Sequence, residues 1–484
     1  MEHGGGGCIC ARGVAVTRRM TPDIRAAARR AVARVQQRSH RLTLRPLIFW
    51  AGALCVSVTA ILFAYAASQA DALFHRALAI SPYLAFVIAP AGLAVSVLLT
   101  RHVFPGAQGS GIPQVIAATE MQEPGAIRRV LSLRVAVGKV FLTLLGLACG
   151  ASIGREGPTV QVGASIMRAL GQAVTLEQPN QLRALVLAGG AAGIAAAFNT
   201  PLAGIMFAIE ELSHSFEQRT SGTVMTAVII AGIATLALTG GGSYFGHTSA
   251  TLPIGVGWEA VLACAVLGGA FGGGFSAILV RAADGLPGAA GRFVGKRPVL
   301  FAALCGLAIA GLGLASAGTT YGTGYAQARE MVAGHAVLPA RFFGLKMLAT
   351  IVSYASGIPG GIFAPSLAIG AGMGRTIAHL LPAAAPGAVV LLGMVAYFSG
   401  VVQAPITAAV IVMEMTDNQQ MTVPLMAASF LAYGVSKLVC PHALYGALAE
   451  RFLTAMTWTQ DANVASSPVE AVEAEPAAVE TVEG

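Results

Sequence analysis

Long apolar segments, separated by short polar stretches, constrain most strongly what this chain can fold into. Six of them approach or exceed the roughly 20 residues that a helix needs to cross a bilayer. They cover residues 46–70, 80–100, 222–240, 260–280, 299–317 and 388–413. Only 11% of the 484 residues are charged, against about 25% in an ordinary soluble domain. The sequence therefore predicts an all-α polytopic membrane protein.

Glycine and proline are frequent within the apolar region, with 59 Gly and 23 Pro in the whole chain. Helix breaks at membrane depth are tolerated where neighbouring helices or a water-filled cavity satisfy the freed backbone groups. We therefore expect broken and re-entrant helices in addition to straight spans.

The two ends of the chain differ in charge from the middle. Residues 1–45 are rich in arginine, whereas residues 457–484 carry acids and no Lys or Arg. The basic head fits a cytoplasmic flank under the positive-inside rule, although its pattern would also suit nucleic-acid or lipid binding. The tail has the composition of a disordered segment. We expect a membrane region over residues 46–456, both termini in the cytoplasm, and no nucleic-acid partner despite the net charge of +8.

The cysteines and histidines show no pattern of a metal or redox site. Seven Cys are scattered without a CxxC spacing, and nine His form no HExxH motif. We expect no metal and no cofactor. An intramembrane enzyme that used Glu156 and Glu211 as acid and base would need a metal or an activated nucleophile, and the sequence shows neither. A non-enzymatic function is therefore predicted.

Two pairs of similar segments indicate an internal duplication. GREGPTVQVGA at 154–164 aligns with GIFAPSLAIGA at 361–371 at an offset of 207. NTPLAGIMFAIEE at 199–211 aligns with QAPITAAVIVMEM at 403–415 at an offset of 204. Together they predict two halves, about 46–240 and 255–456. Repeats with broken helices are typical of transporters that bind their substrate between the halves, near the bilayer midplane.

Three short segments have the pattern of helix starts inside the membrane. Their residues are Gly109, Ser110, Gly111 and Pro113; Gly154, Arg155, Glu156, Gly157 and Pro158; and Gly361, Ile362, Phe363 and Pro365. Glycine permits tight turns, and proline suits the first helical turn. Helix N-termini present unpaired N–H groups and partial positive charge, so three of them around one dry cavity would bind an anion. No Walker lysine follows these segments, which argues against nucleotide-binding loops.

Arg155 and Glu156 are adjacent charges in an otherwise apolar segment. A charged side chain at membrane depth costs about 2.5 to 3.5 kcal/mol on insertion scales, and it usually faces a cavity, a partner or a substrate path. We expect Arg155 to be structural, paired with backbone carbonyls or a nearby acid. Glu156 is the candidate functional charge.

GSGIP, GREGP and GIFAP, with the late Tyr445 in ALYGAL, resemble the signature of the CLC family of chloride channels and chloride/proton antiporters. The motifs occur in the family's order, and the similarity runs from about residue 50 to 456. The resemblance implies the family's inverted-repeat fold, a homodimer with one anion pathway in each subunit, and a bacterial inner membrane. It is to the prokaryotic type, and no CBS domains are expected.

The resemblance also implies roles for individual residues. Ser110 and Tyr445 are expected to donate hydroxyl hydrogen bonds to a central chloride, and the backbone N–H groups of Ile362 and Phe363 complete that site. Glu156 is expected to be the gating glutamate, which competes with chloride when ionised and carries a proton when it leaves.

A second acid favours an antiporter over a passive channel of the same fold, which is the alternative hypothesis. By motif context, the resemblance implies that Glu211 is the internal proton glutamate. The repeat aligns Glu210 with Glu414 and places Met415 opposite Glu211. Glu210 and Glu414 are therefore expected to be structural, because an acid present in one half suits an asymmetric proton path.

Several positions bear on anion choice and on the inner proton route. Ser110 resembles chloride-preferring members and not nitrate exchangers, and the fluoride-exporting branch departs from the GREGP and Tyr patterns. Gln114 and Ile116 stand where antiporters are more acidic, while Lys139 is kept. We expect Lys139 to lack its usual carboxylate partner.

Overall fold

The computed structural model describes residues 22–465, except for residue 122, residues 174–178, 214–217, 241–243 and 253–255, residue 286, residues 336–337 and residue 383. Within these ranges the regular structure is helical, and two isolated backbone bridges take the place of a sheet. The predicted boundary at residue 45 falls inside the first helix. Most of the predicted acidic tail, and the beginning of the basic head, lie outside the described residues.

Nineteen α-helices follow one another in the described residues. The first half contains α1 (Pro22–Ile80), α2 (Ala85–His102), α3 (Ile112–Glu120), α4 (Pro124–Val130), α5 (Leu133–Ala148), α6 (Glu156–Ala173), α7 (Pro179–Phe198), α8 (Pro201–Phe207) and α9 (Gln218–Thr239). The second half contains α10 (Val256–Ala283), α11 (Gly288–Lys296), α12 (Pro298–Ala315), α13 (Tyr325–Val332), α14 (Arg341–Ala355), α15 (Phe363–Leu380), α16 (Pro386–Val402), α17 (Pro405–Thr416), α18 (Thr422–Val439) and α19 (Leu444–Ala465). Short 3₁₀ turns at Pro82–Leu84 and Gln419–Met421 precede α2 and α18, and a π-helical turn, Ala208–Ser213, follows α8.

Seven segments of the described chain are long and apolar enough to cross a membrane. They are Ile48–Ile80, Pro82–His102, Pro124–Ala148, Asn180–Phe198, Gly257–Ala283, Pro298–Ala315 and Gln419–Val439. The apolar runs of the sequence did not include 124–148, 180–198 and 419–439. Small and polar residues lower the mean hydropathy of the last two to 1.5 and 1.4, whereas that of 124–148 is 1.9. The chain is an integral membrane protein, as predicted.

The apolar run over residues 388–413 is long enough for one spanning helix, but the helix breaks inside it. The expectation of a single span there is wrong. Gln403 ends α16 in the left-handed region with φ 63°, and Pro405 begins α17. Proline cannot continue a helix because it lacks the N–H and its ring clashes with the preceding turn. The first half breaks in the same way at the matching position, where Asn199, with φ 56°, lies between α7 and α8.

Glycine allows paired helices to pack so closely that their backbones are in contact. A Cβ on Gly163 of α6 would lie 2.3 Å from the carbonyl oxygen of Gly189 of α7. In the second half, a Cβ on Gly370 of α15 would lie 2.6 Å from the carbonyl oxygen of Gly393 of α16. Small residues at such contacts drive helix association in membranes through close packing. The abundance of glycine therefore reflects helix packing as well as helix breaks.

Two acids join the halves reciprocally. The Glu414 carboxylate accepts hydrogen bonds from the N–H groups of Leu202 (3.1 Å) and Ala203 (2.7 Å) at the start of α8. The Glu210 carboxylate accepts them from Ile406 (3.1 Å) and Thr407 (2.7 Å) at the start of α17. Because each acid satisfies orphan N–H groups of the other half, the geometry agrees with a structural role for both.

Candidate functional site

The three predicted helix starts meet in one place, where backbone hydrogen bonds connect them. The N–H of Gly154 donates to the carbonyl of Gly361 (2.6 Å), and the N–H of Gly361 donates back to Gly154 (2.7 Å). The N–H of Gly360 donates to the carbonyl of Gly109 (3.1 Å). The starts of α3, α6 and α15 are thus held together although they are far apart in sequence.

The glycines of these motifs are required by close contacts. Gly111, with φ +102°, precedes α3, and a Cβ there would lie 2.9 Å from the carbonyl oxygen of Gly157. A Cβ on Gly157 would lie 2.4 Å from the Ser110 hydroxyl oxygen. A larger residue would push the α3 and α6 starts apart, since Cβ atoms do not approach neighbours this closely.

Two buried hydroxyl groups lie beside these helix starts. Ser110 is 1% exposed and Tyr445 is 0% exposed. Among the described residues neither hydroxyl makes a hydrogen bond of normal geometry, although the Tyr445 and Ser110 hydroxyls lie close enough to interact with each other. An unsatisfied buried donor costs about 1 to 3 kcal/mol. Two such donors next to N-terminal helix dipoles fit a small anion.

Phe363, the first residue of α15, occupies the centre of an aromatic cluster. Its ring centroid lies 4.9 Å from that of Phe398, 5.8 Å from Tyr445, 5.9 Å from Phe207 and 6.1 Å from Phe198. The cluster fixes the start of α15 against the tyrosine of α19. The N–H groups of Ile362 and Phe363 belong to the helix start, where backbone donors have no intrahelical partner.

Glu156 is fully buried at the start of α6. Its Oε1 accepts a hydrogen bond from the Tyr325 hydroxyl (2.8 Å) and lies 3.9 Å from Arg155 Nε. Its Oε2 has no hydrogen-bond partner in the described part of the chain. The Arg155 guanidinium also lies over the ring of Tyr244, 5.6 Å from its centroid. The nearby acid expected for Arg155 is therefore its neighbour Glu156.

Glu211 lies in the π-helical turn after α8 and is 2% exposed. Its Oε1 has no hydrogen-bond partner among the described residues, whereas the adjacent Glu210 binds the start of α17. Single π-helical turns within α-helices occur frequently at functional sites. Burial disfavours the charged form of an unsatisfied carboxyl group, so Glu211 is suited to take up a proton.

Lys139 is fully buried, and backbone carbonyls surround its ammonium group. Its Nζ donates to the carbonyls of Gln108 (3.1 Å) and Gly109 (2.8 Å). Gln114 Nε2 donates to the same Gln108 carbonyl (2.7 Å), and Ile116 is part of the apolar core. Within the described part of the chain Lys139 forms no ion pair with a carboxylate, in agreement with the expectation. The lysine instead fixes the loop that carries Ser110.

Tyr325 is the site residue that the sequence reasoning missed. It begins α13, after the left-handed Gly324, and it contacts Glu156 across 169 positions of sequence. The only signal was the glycine-rich segment YGTGY at 321–325, which resembles a further helix start. Nothing in the sequence alone placed it next to GREGP.

Comparisons with known proteins agree with this geometry. The family model described as "Voltage gated chloride channel" matches residues 91–437. A protein of Yersinia pestis bv. Antiqua (strain Angola), named H(+)/Cl(-) exchange transporter ClcA, is 33% identical over 404 residues, which cover 80% of this chain and 81% of the relative. The match to the ClcA protein of Klebsiella pneumoniae is 32% identical over 403 residues and covers 80% of this chain and 83% of the relative.

A solved structure has the same fold. The crystal structure of a slow cyanobacterial Cl-/H+ antiporter superposes with a TM-score of 0.72 and 26% identity, covering 85% of this chain and 99% of that chain. This likeness confirms the predicted all-α membrane fold with an inverted repeat and broken, re-entrant helices.

Proposed function

This chain belongs to the voltage-gated chloride channel family, and from that premise we propose that it exchanges chloride for protons across a membrane. The observation that carries the proposal is the pair of buried hydroxyls of Ser110 and Tyr445, neither of which makes a hydrogen bond of normal geometry to a described residue, beside three joined helix starts. Hydroxyl and backbone donors hold an anion without a full positive charge. The anion is therefore selected for its charge and yet is bound weakly enough to move.

Chloride binds between the hydroxyls of Ser110 and Tyr445 and the N–H groups of Ile362 and Phe363. Glu156 is the gate. Its ionised carboxylate occupies the anion path at the start of α6, and a protonated Glu156 leaves that path, because it no longer gains from the helix dipole. One residue therefore alternates between competing with chloride and carrying a proton.

Glu211 supplies protons from the other side of the anion site. Support comes from its burial, its Oε1, which has no hydrogen-bond partner among the described residues, and its electrostatic interaction with Tyr445. Glu210 is less suited to carry protons, because its carboxylate accepts hydrogen bonds from two N–H groups of α17. The relatives named as H(+)/Cl(-) exchange transporters support the coupling to protons.

The test is proton movement in liposomes that contain the purified protein. A chloride gradient without a pH gradient should drive protons in the direction opposite to chloride, and the Glu156→Gln variant should carry chloride without protons. Chloride flux through the wild-type protein without proton countermovement would instead identify a passive channel of the same fold.

We propose a homodimer in the bacterial plasma membrane, with both termini in the cytoplasm and no resident cofactor. The bacterial relatives support the membrane, and the arginine-rich head supports a cytoplasmic N-terminus under the positive-inside rule. The repeat, which forms a complete site within one chain, supports one pathway in each subunit. A dimer with one Glu156→Ala subunit should therefore keep one normal pathway. A mixed dimer in which both pathways behaved as mutant would contradict the two-pathway arrangement.

A further inference from the structure

Three aromatic residues that are distant from Glu156 in sequence pack together, and one of them, Tyr325, contacts the Glu156 carboxylate. The Tyr325 hydroxyl donates to Glu156 Oε1 at 2.8 Å. The Tyr325 ring lies against Tyr244 and Phe245, with centroid distances of 4.7 and 5.7 Å. We call Tyr244, Phe245 and Tyr325 the aromatic cover. The cover is anchored to the second half, because the N–H of Phe245 donates to the carbonyl of Met415 (2.9 Å).

A buried lysine fixes the loop that carries Tyr325. Lys346 Nζ donates to the carbonyls of Thr320 (2.9 Å) and Gly322 (2.8 Å). Gly324 has φ +83°, and a Cβ there would lie 2.6 Å from the Ala368 Cβ. The backbone before Tyr325 therefore has little freedom, and the direction of its hydroxyl is set by the fold.

The same arrangement occurs in the first half. Lys139 precedes Lys346 by 207 positions, which is the offset of the repeat. It donates to the carbonyls of the loop that carries Ser110. Two repeat-related lysines thus hold two loops, and each loop presents a hydroxyl to the site. Ser110 lies at the helix starts that bind the anion, and Tyr325 lies at the carboxylate of the gate.

We propose that Tyr325 is a positioning residue whose hydroxyl holds the ionised Glu156 carboxylate in the anion path and so controls its release. The inference rests on the proposed role of Glu156 as the gate. A hydrogen bond to an ionised carboxylate is about twice as strong as one between neutral groups. The Tyr325 hydroxyl therefore favours the charged, path-blocking form of Glu156 over the protonated form that leaves.

Other charged and titratable groups near Glu156 come from several elements. Arg155, its neighbour in the chain, lies 3.9 Å from Oε1, and Tyr445 of α19 interacts with Glu156 from the anion site. Lys139 of α5 and Lys346 of α14 are directed at backbone carbonyls. Asp71 of α1 interacts electrostatically with Lys346. Within the described residues, Tyr325 is the side chain that donates a hydrogen bond to the Glu156 carboxylate.

The experiment compares Tyr325→Phe with Tyr244→Phe, because each substitution removes one hydroxyl from the aromatic cover and keeps the ring. Chloride flux into liposomes is measured against external pH. In Tyr325→Phe, the midpoint of the acid activation should move to higher pH by about one to two units, the size expected for one hydrogen bond to a charged group. Tyr244→Phe should keep the wild-type midpoint.

A second comparison uses Glu156→Gln as the background. Adding Tyr325→Phe there should leave chloride flux unchanged, since no carboxylate remains to be held. A wild-type pH profile in Tyr325→Phe would overturn the role of Tyr325 and leave the gating role of Glu156 intact. The same would follow if Tyr325→Phe changed chloride flux equally in the wild-type and in the Glu156→Gln background. Wild-type pH dependence in Glu156→Gln would instead overturn the gating role itself, and the inference with it.

Discussion

The two halves of the membrane region share a backbone design but differ in chemistry. Their helices break at matching positions, Asn199 and Gln403, and their glycine contacts repeat at the same offsets. The functional acids do not repeat, because Phe363 matches Glu156 and Met415 matches Glu211. Each half must satisfy the same helix ends within the membrane, so the backbone is symmetric. Proton transfer needs titratable groups along one path, so the acids are not.

The difference also has an electrostatic reason. The starts of α6 and α15 are joined by hydrogen bonds at Gly154 and Gly361. A carboxylate on both helix starts would place two like charges at one small anion site, where each disfavours ionisation of the other. With Phe363 at the second start, one acid competes with chloride and the other helix start remains available to the anion.

The largest expected effect tests the symmetry of the backbone. Gly163→Val and Gly370→Val should each prevent α6 from packing on α7 or α15 on α16, at a cost of about 3 kcal/mol or more. We expect little monodisperse protein on size-exclusion chromatography in detergent for both variants. Gly274→Val is the control, since a Cβ at Gly274 meets no atom within 4 Å. If one of the two variants folded normally and the other did not, the helix packing of the two halves would not be equivalent.

The next effect tests the asymmetry of the acids. Glu211→Gln should reduce chloride-driven proton transport by more than tenfold while chloride still passes, because the amide is nearly isosteric with a protonated carboxyl group but cannot release a proton. Glu210→Gln is the matched neighbour and should keep the ratio of proton to chloride flux. The two fluxes are measured together in liposomes. Proton transport at the wild-type rate in Glu211→Gln would transfer the proposed role to Glu210.

A smaller effect concerns the donors at the anion site. Ser110→Pro should lower the preference for chloride over nitrate by about tenfold, since it removes one hydrogen bond worth about 1 to 3 kcal/mol to a charged partner. Transport itself should continue. Ser110→Ala separates the loss of the hydroxyl from the effect of proline on the loop. Relative anion flux within twofold of wild type in both variants would exclude Ser110 from direct contact with the anion.

The smallest effect returns to the symmetric pair of acids. Glu210→Gln and Glu414→Gln should each lower thermal stability in detergent by a similar amount, equivalent to about 1 to 2 kcal/mol, because an amide offers one acceptor where the carboxylate accepts two backbone hydrogen bonds. Neither should separate chloride from proton flux. A large difference in stability between the two variants would show that the two contacts are not equivalent.

Much of this site could be predicted because its motifs are local. GSGIP, GREGP and GIFAP predict where the helices begin, and their glycine and proline residues predict the turns before them. The apolar runs do not include segments 180–198 and 419–439 because small and polar residues lower their mean hydropathy. The first of these is mostly buried among other helices, whereas the second is mostly unburied. Segment 124–148 is also absent from those runs, although its mean hydropathy is 1.9. The break at Gln403 could have been read from Pro405, but the continuous apolar composition concealed it.

The sequence by itself determined the membrane environment, the duplication and the residues that begin the helices, since each depends on neighbouring residues or on a repeated pattern. Only the tertiary structure decided which groups meet. Tyr325 reaches Glu156 across 169 positions, and Glu210 and Glu414 each bind a helix start of the other half. Such contacts depend on how helices cross and on which backbone groups remain unsatisfied where they end, and no local pattern of residues records that geometry.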